Sequence, residues 1–274
     1  MNFFILNNEL KSCCDFNPYL FENKKPVYEV VRVEKSIPLF FEDHVVRFFN
    51  SCNLAGYKCP VTEQQIKNRF KALIESNKLK TGLIKFISLK KEGAGVDILF
   101  AAWTAPFFFP SKHQYKTGVD LLTMKGEREN PHAKFAQLSI RKQADTLIEQ
   151  QKVYEVILIN KRNIMTEGSR SNLFFVKKEC QILFTPHHDF VLSGITRKKI
   201  IELALNLGID VMESAFYLNE LNDFDSLFLT GTSPKVMPVN RVDKLHFDLE
   251  NDLVVLLKNE YDKLIDNYIL HFSW

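Results

Sequence analysis

The 274-residue chain has little glycine, few cysteines, a small net charge and no long apolar run. Its 10 glycines and 10 prolines are too few for a fibrous or low-complexity protein. The five cysteines are odd in number and fit neither a disulfide framework nor a zinc site, which indicates reduced thiols in a cytoplasm. A net charge of +3 from scattered basic residues gives no basis for nucleic-acid binding. No stretch reaches about 18 consecutive apolar residues, so the sequence predicts no membrane span.

The composition that remains is that of an ordinary globular protein. Hydrophobic residues make up 46% of the chain and charged residues 25%. The length allows two modest domains. A stretch that begins Pro-Phe-Phe-Phe-Pro at residues 106–110 is not periodic and predicts the connection between them. We therefore expect a smaller N-terminal domain over residues 1–105, a connection over 106–117 and a larger C-terminal domain over 118–274.

The first half mixes strand and helix patterns. Residues 27–33 alternate with β-branched side chains and predict a strand, whereas residues 42–55 predict a helix. The sequence Thr-Glu-Gln-Gln at residues 62–65 predicts a capping box that opens a second helix. Two further apolar runs, at residues 83–89 and 98–103, are typical of strands.

The second half alternates between the same two patterns. The predicted elements are a helix at 137–151, strands at 153–160, 172–176 and 182–185, a helix at 196–207, a strand at 225–230 and a helix at 253–269. Because strands and helices are mixed in both halves, the sequence predicts an α/β or α+β protein.

Residue types alone give only weak pointers to chemistry. The sequence Leu-Ser-Gly-Ile at 192–195 leads into a helix, and such a turn presents backbone N–H groups that bind phosphate well. A Thr-Gly-Thr-Ser sequence at 230–233 follows a strand and offers hydroxyl groups. Two adjacent histidines and an aspartate at 187–189 are interpreted as a solvated loop, so we expect no metal site.

Four sequence blocks, taken together, carry a more specific signal. They are Thr-Glu-Gly-Ser-Arg-Ser-Asn-Leu-Phe at 166–174, Leu-Phe-Thr-Pro at 183–186, Leu-Ser-Gly-Ile-Thr-Arg at 192–197 and Phe-Leu-Thr-Gly-Thr at 228–232. With these four blocks in this order, the chain resembles the class IV aminotransferases, also called fold type IV pyridoxal-phosphate enzymes. The resemblance runs from about Tyr28 to Asp243. That family includes branched-chain and D-amino-acid aminotransferases and 4-amino-4-deoxychorismate lyase. The resemblance implies a two-domain α/β fold like that of D-amino-acid aminotransferase, with pyridoxal 5'-phosphate as cofactor.

The resemblance implies that Lys134 carries the cofactor. In the family this lysine precedes a helix that leads into the strand before the Glu-Gly-Ser block, and the sequence Pro-His-Ala-Lys at 131–134 has that place. Lys125 lies too early and Lys142 lies inside the predicted helix. Lys134 would form the internal Schiff base and then act as proton shuttle. Its amine must be neutral to attack, so we expect burial and nearby positive charge to lower its pKa.

The same resemblance implies roles for other residues. Glu167 matches the acidic residue that faces the pyridine nitrogen and keeps it protonated. Arg47 matches the arginine that grips the cofactor phosphate. The remaining cofactor contacts that it implies are Leu192 beneath the pyridine ring, Ile195 and Thr196 at the helix N-terminus, and the hydroxyl of Thr232. The candidates on the substrate side are Tyr28, Asn172 and Ser233.

The chain departs from the family pattern on the substrate side. The family usually has an Arg and a Gly-Asp-Gly just before the strand of Tyr28, whereas this chain has no glycine before Gly56. Leu89 stands where D-amino-acid enzymes carry an arginine, which argues against a D-amino acid substrate. After Gly231 and Thr232 the chain continues Ser-Pro-Lys, where many transaminases have Ala-Ala-Glu.

These matches favour a transaminase that moves an amino group between an amino acid, branched-chain-like by preference, and a 2-oxo acid through the Lys134 Schiff base. Two alternatives stay open: a 4-amino-4-deoxychorismate lyase of the folate pathway, which eliminates pyruvate, and a non-catalytic homologue that binds pyridoxal phosphate. By resemblance the protein is expected to be a cytoplasmic homodimer.

Overall fold

The computed structural model divides the chain into two compact units. The first comprises Met1–Phe108, Ala133–Leu138 and Ile265–Trp274, and the second comprises Phe109–His132 and Ser139–Leu264. The division therefore differs from the predicted linear one, because the segment with Lys134 and the C-terminal residues belong to the first unit. The residues that the structure describes are 2–17, 21, 24–90, 98–128, 132–135, 138–177, 180 and 182–274.

Three expectations concern residues outside the described ones. The first concerns the segment before Tyr28, of which residues 20 and 22–23 lie outside the described part. The second concerns Pro131, before the proposed cofactor lysine, and the third Gln137, at the predicted start of a helix.

The first unit is built on a six-stranded sheet with the strand order β2-β1-β6-β5-β3-β4. Every strand pair in it is antiparallel. Its strands are β1 (Phe3–Leu6), β2 (Glu9–Ser12), β3 (Val27–Glu34), β4 (Ile37–Pro38), β5 (Gly82–Lys90) and β6 (Ile98–Ala105). Two helices, α1 (Phe41–Leu54) and α2 (Glu63–Asn77), supply buried side chains to the core of this unit.

The local sequence signals of this unit are confirmed. Strand β3 alternates between buried and half-buried residues along its whole length, as the period-two pattern predicts. Thr62 and Gln65 form the predicted capping box: each side chain bonds the other residue's backbone N–H. The large apolar side chains of α1 and α2 fill the core, where Phe41 and Phe70 pack edge-to-face with ring centroids 5.4 Å apart.

The second unit contains a ten-stranded mixed sheet. The strand order is β12-β11-β10-β14-β15-β7-β8-β9-β13, and β16 pairs with β15. The strands are β7 (Val119–Lys125), β8 (Glu155–Ile159), β9 (Ile164–Gly168), β10 (Asn172–Val176), β11 (Ile182–Pro186), β12 (Asp210–Ser214), β13 (Phe216–Tyr217), β14 (Ser226–Gly231), β15 (Lys235–Val242) and β16 (Leu245–His246).

The described elements also include three short 3-10 helices, Cys13–Asp15, His188–Phe190 and Leu218–Asp223, and four further α-helices. The four α-helices are α3 (Lys112–Thr117), α4 (Leu138–Gln151), α5 (Ile195–Asn206) and α6 (Asp252–His271). The last three were predicted. Helix α3 lies within residues 106–117, for which the sequence predicts a connection and no helix: Ser111 caps it by accepting the N–H of Gln114, and Gln114 reaches back to the N–H of Ser111.

The fold is a mixed α/β architecture, as the sequence predicts. Strands β8, β9 and β10 are buried over all their residues. Glu167 and Gly168 end β9, and the Ser-Arg-Ser turn at 169–171 connects it to β10. Among the described residues no helix is both long and apolar enough to cross a membrane.

Candidate active site

The backbone of Lys134 is anchored on both sides in the first unit. The N–H of Tyr28 donates to the Lys134 carbonyl oxygen at 3.1 Å, and the N–H of Lys134 donates to Ser51 Oγ at 3.2 Å. The next residue, Phe135, forms a β-bridge with Val27 of β3. These contacts hold the lysine against β3 and the buried face of α1.

The Lys134 side chain points into a charged and largely buried environment. It is only 13% exposed, and its Nζ lies 3.7 Å from Glu29 Oε2. The same ammonium lies 5.4 Å from the ring centroid of Tyr28, within the range of a cation–π contact. Exposed lysines of this chain also form ion pairs, but the burial of both Lys134 and its carboxylate partner fits a lysine with a chemical role.

Glu29 is the centre of this cluster and is completely buried. It accepts from Arg47 Nε and Nη2, both at 2.7 Å, and its Oε2 lies 2.9 Å from His44 Nδ1. Burial alone would raise its pKa, but the charges of Arg47 and Lys134 and the hydrogen bonds hold the pKa far below its ordinary value. Burial lowers the pKa of His44, and its bond to Glu29 opposes that shift only in part. Glu29 is therefore a fixed anion that faces the lysine.

Arg47, the predicted phosphate ligand, is 8% exposed and lies on the buried side of α1. Its fork is bidentate to Glu29, which fixes the plane of the guanidinium. The structure therefore brings Lys134, Tyr28 and Arg47 together around Glu29. The phosphate role of Arg47 stays a prediction.

Glu167, in the second unit, lies near the end of β9 and is 3% exposed. One carboxylate oxygen accepts from Arg128 Nε, and the other accepts the N–H of Leu192 at 3.1 Å. Asn172 Nδ2 donates to the carbonyl oxygen of Leu192 at 2.9 Å. A carboxylate has about four lone-pair sites, so Glu167 can accept one more donor, such as a protonated ring nitrogen.

The N-terminus of α5 follows this group directly. A Cβ at Gly194 would lie 2.0 Å from Asn172 Oδ1, so only glycine permits this approach. Ile195 and Thr196 begin the helix, where backbone N–H groups lack intrahelical partners and favour an anion. Thr196 is buried, and its Oγ1 accepts from the Tyr261 hydroxyl at 3.3 Å.

The Thr-Gly-Thr block adjoins the Glu-Gly-Ser block through the sheet. Thr230 of β14 pairs with Asn172 of β10, and a Cβ at Gly231 would lie 3.4 Å from the Arg170 carbonyl oxygen. Among the described residues, the buried Thr230 Oγ1 has no hydrogen-bond partner. A buried polar atom without a partner is costly, so this hydroxyl fits a site that receives a polar ligand group. Thr232, the predicted hydroxyl ligand, follows in a half-buried turn.

The structure thus assembles the predicted residues within each unit. Lys134, Arg47 and Tyr28 form one cluster. The other contains Glu167, Leu192, Asn172 and the first turn of α5, with Ser233 half-buried in the turn after β14. The histidine pair at 187–188 and Asp189 bring their ligand atoms within 4.8 Å of one another, but they are half-buried to exposed and pair among themselves.

Two buried or half-buried charged residues of these clusters were missed from the sequence: Glu29 and Arg128. Glu29 carries a usable signal, because it occupies a buried phase of the β3 alternation where Val27 and Val31 are its neighbours. Arg128 has no such signal, since its partner is 39 residues away.

Comparison with known proteins identifies the kind of molecule. A family model described as Amino-transferase class IV matches residues 26–242. The D-alanine aminotransferase of Bacillus licheniformis is 28% identical over 226 residues, which cover 79% of this chain and 78% of that protein. A probable branched-chain-amino-acid aminotransferase of Rickettsia bellii is 27% identical over 258 residues, which cover 87% and 86%.

Solved structures share the fold at lower identity. The branched-chain amino acid aminotransferase of Escherichia coli gives a TM-score of 0.85 at 21% identity, over 96% of this chain and 94% of that one. A T.th. branched-chain amino acid aminotransferase, solved with pyridoxamine 5'-phosphate, gives 0.83 at 20% identity, over 97% and 94%. A Legionella pneumophila protein named provisionally as a 4-amino-4-deoxychorismate lyase gives 0.79 at 22% identity, over 88% and 91%.

Proposed function

This chain belongs to the class IV aminotransferases, and from that premise we propose that it moves an amino group between an amino acid and a 2-oxo acid with pyridoxal 5'-phosphate. The observation that carries the proposal is the anchored Lys134, whose ammonium faces the buried anion Glu29 at 3.7 Å. When bound, pyridoxal phosphate joins a lysine amine through its aldehyde and supplies a ring that stabilises a carbanion at the substrate α-carbon.

Lys134 is the lysine that binds the cofactor and then moves the substrate proton. Its Nζ would take the proton from the substrate α-carbon as a general base and then, as a general acid, give it to the cofactor rather than back to the α-carbon. Tyr28 and Glu29 keep the side chain in place. Because Glu29 stays anionic, it balances the positive charge that Lys134 carries between transfers.

Glu167 holds the proton on the cofactor ring nitrogen. Arg128 and the Leu192 N–H fix both of its oxygens, so the carboxylate is oriented before any ligand arrives. By the family resemblance, Leu192 would lie beneath the cofactor ring. Arg47, the N–H groups and hydroxyl at Ile195 and Thr196, and Thr232 would hold its phosphate. The substrate side is lined by Tyr28, Asn172 and Ser233.

The donor that we favour is a branched-chain-like amino acid, with a 2-oxo acid as acceptor. The Rickettsia bellii relative, which is named a probable branched-chain-amino-acid aminotransferase, aligns with 87% of this chain. The D-alanine aminotransferase relative is of similar identity, but this chain has Leu89 where, by the family resemblance, D-amino-acid enzymes carry an arginine. We also propose, by family resemblance, that the protein works as a homodimer in the cytoplasm.

The reaction is tested with the purified protein saturated with pyridoxal phosphate. L-leucine, L-valine, D-alanine and L-glutamate are each added without an acceptor, and loss of the visible cofactor band is recorded. We expect the branched-chain amino acids to bleach the band and 2-oxoglutarate to restore it. Failure of every amino acid to bleach it would reject the transaminase and leave the lyase and the non-catalytic homologue.

The second candidate is the lyase, and the fold shared with the Legionella pneumophila protein favours it. The two reactions differ in what they need. A lyase releases pyruvate from 4-amino-4-deoxychorismate in the absence of any acceptor, whereas a transaminase requires a 2-oxo acid for turnover. Pyruvate release at a steady rate, with no bleaching by branched-chain amino acids, would replace our assignment by the lyase.

Glu167→Gln tests the ring-nitrogen assignment. An amide cannot balance the charge of a protonated ring nitrogen, and a charge-assisted hydrogen bond of this kind contributes about 1.5–3 kcal/mol. We expect kcat to fall by roughly 10- to 150-fold while the cofactor remains bound. Glu149→Gln, on the exposed side of α4, is the matched control. Equal kcat in both variants would remove Glu167 from the mechanism.

A further inference from the structure

A second buried carboxylate, Glu155, lies behind the turn that follows Glu167. It is the first residue of β8 and only 3% exposed. Its Oε1 accepts from the N–H of Val156 at 2.9 Å and from the N–H and Oγ of Ser169 at 3.2 and 2.7 Å. Its Oε2 accepts from the N–H of Arg170 at 3.0 Å and from Ser171 Oγ at 3.3 Å. Four of these five donors belong to one turn.

The donor set indicates a carboxylate that binds the turn as an anion. Three of the five donors are backbone N–H groups, which cannot accept a proton from a carboxylic acid. Burial raises the pKa of Glu155, whereas the hydrogen bonds and the charge of Arg141 lower it in part. Arg141 also donates to the Ser169 carbonyl oxygen at 3.2 Å, so the cation and the anion clamp the same residue.

The turn at residues 168–171 packs tightly against Glu155 of β8. Gly168 N–H donates to the Ser171 carbonyl oxygen at 2.8 Å, and a Cβ at Gly168 would lie 2.1 Å from Ser171 Oγ and 3.2 Å from Glu155 Cγ. Residues 168–171 are therefore packed onto the Glu155 side chain. Glu167 immediately precedes them, so the position of its backbone depends on this packing.

The turn also reaches Glu167 through a side chain. The Ser169 carbonyl oxygen accepts from Arg128 Nη2 at 3.4 Å, and the Nε of the same arginine donates to Glu167. Glu155 thus fixes Ser169, Ser169 helps to fix Arg128, and Arg128 fixes the carboxylate of Glu167. Three other charged residues lie at this turn: Asp145 forms ion pairs with both Arg141 and Arg170.

We propose that Glu155 is a positioning residue for Glu167: by binding the 168–171 turn it sets where the Glu167 carboxylate and its Arg128 partner stand relative to the cofactor ring nitrogen. The proposal rests on the proposed function, because it concerns the residue assigned to that nitrogen. Glu155 is buried and its hydrogen bonds go to Val156 and the turn, so we expect its removal to change the electronic state of the ring rather than the binding of substrate.

The test is Glu155→Gln in the holoenzyme, with Glu149→Gln as the surface control. An amide keeps the shape of the side chain but replaces one acceptor oxygen by a donor, which opposes either the Ser169 or the Arg170 contacts. We expect kcat to fall roughly 10- to 100-fold, since small displacements of catalytic groups have effects of that size, with KM within about threefold. We also expect the pH midpoint of the visible cofactor band to shift.

A second variant and a cofactor-independent measurement keep the result interpretable. Ser169→Ala removes the 2.7 Å contact alone, and we expect the same spectral shift at smaller size. Hydrogen exchange at the amides of residues 168–171 is expected to speed up in Glu155→Gln with or without cofactor.

The outcomes separate the two claims. Faster exchange with an unchanged titration and kcat in both variants would make Glu155 merely structural and overturn the inference. A wild type with no visible band after incubation with pyridoxal phosphate would instead reject the proposed function.

Discussion

Replacing Lys134 by alanine is expected to abolish the visible band of the bound cofactor and to lower transamination by at least about 10⁴-fold, the upper range for loss of a general acid–base group. The loss combines two roles, because the variant can neither join the cofactor covalently nor move the α-proton. Glu29 keeps Arg47 and His44 as partners, so we expect the variant to fold. Absorption spectra and single-turnover rates measure both effects.

Lys125→Ala and Lys142→Ala are the matched controls, since both lysines are exposed and close in sequence. We expect both to keep the band and the rate. Added methylamine is expected to restore part of the activity to Lys134→Ala alone, because a free amine replaces the missing base. A band that survives in Lys134→Ala and disappears in Lys125→Ala or Lys142→Ala would move the assignment to that lysine.

Glu29→Gln is expected to destabilise the first unit by about 3–5 kcal/mol, the usual cost of breaking a buried ion pair by removing one partner. Arg47 and Lys134 would remain largely buried without their counter-ion. Both tryptophans, Trp103 and Trp274, lie in this unit, so denaturant titration followed by tryptophan fluorescence reports its unfolding. The cofactor is removed beforehand, because its binding would add stability of its own.

The contribution of Glu29 to the stability of the folded protein depends on pH in a definite direction. The folded-state pKa of Glu29 lies below its ordinary value of 4.5, so its contribution is fully present above that pH and is lost as the pH falls toward the folded value. The wild type is therefore expected to lose up to about 1.4 kcal/mol per pH unit below pH 4.5 through this group, and Glu29→Gln to lose less.

Glu9→Gln is the control for this experiment. Glu9 is an exposed partner of Lys11, with 71% of its side chain accessible, so the substitution is expected to change stability by no more than about 1 kcal/mol. Equal stability of Glu29→Gln and Glu9→Gln at neutral pH would show that the buried cluster does not hold the first unit together.

Local patterns in the sequence were sufficient for those parts of the fold that local physics decides. The alternation at residues 27–33 predicted β3, and the Thr62 capping box predicted the start of α2, because a strand face and a helix cap depend on neighbours a few residues apart. Helix α3 was missed although Ser111 and Gln114 carry the same capping signal, since the flanking prolines and phenylalanines dominated the interpretation. Strand β15 was missed because four consecutive residues of it are buried, so its side chains do not alternate.

The candidate site divides in the same way. Lys134, Glu167 and the first turn of α5 stand in sequence blocks that match a family, so they could be assigned from residues close in sequence. The alternation of β3 marks Glu29 as buried but does not assign it to a site, and Glu155 has no comparable mark, because their partners are 18 and 14 residues away and come close only when the sheet forms. The sequence also did not predict that Lys134 belongs to the first unit. The segment Ala133–Leu138 packs with that unit although the chain on either side of it belongs to the second.

Chemical mapping of the cofactor lysine tests the central role of Lys134 most directly. The protein is incubated with pyridoxal phosphate, reduced with borohydride and digested, and the modified peptide is identified by mass spectrometry. We expect one stoichiometric adduct, at Lys134. Its yield is expected to fall in Glu29→Gln and to stay unchanged in Glu149→Gln. An adduct at Lys125 or Lys142, or substoichiometric labelling spread over surface lysines, would contradict that role.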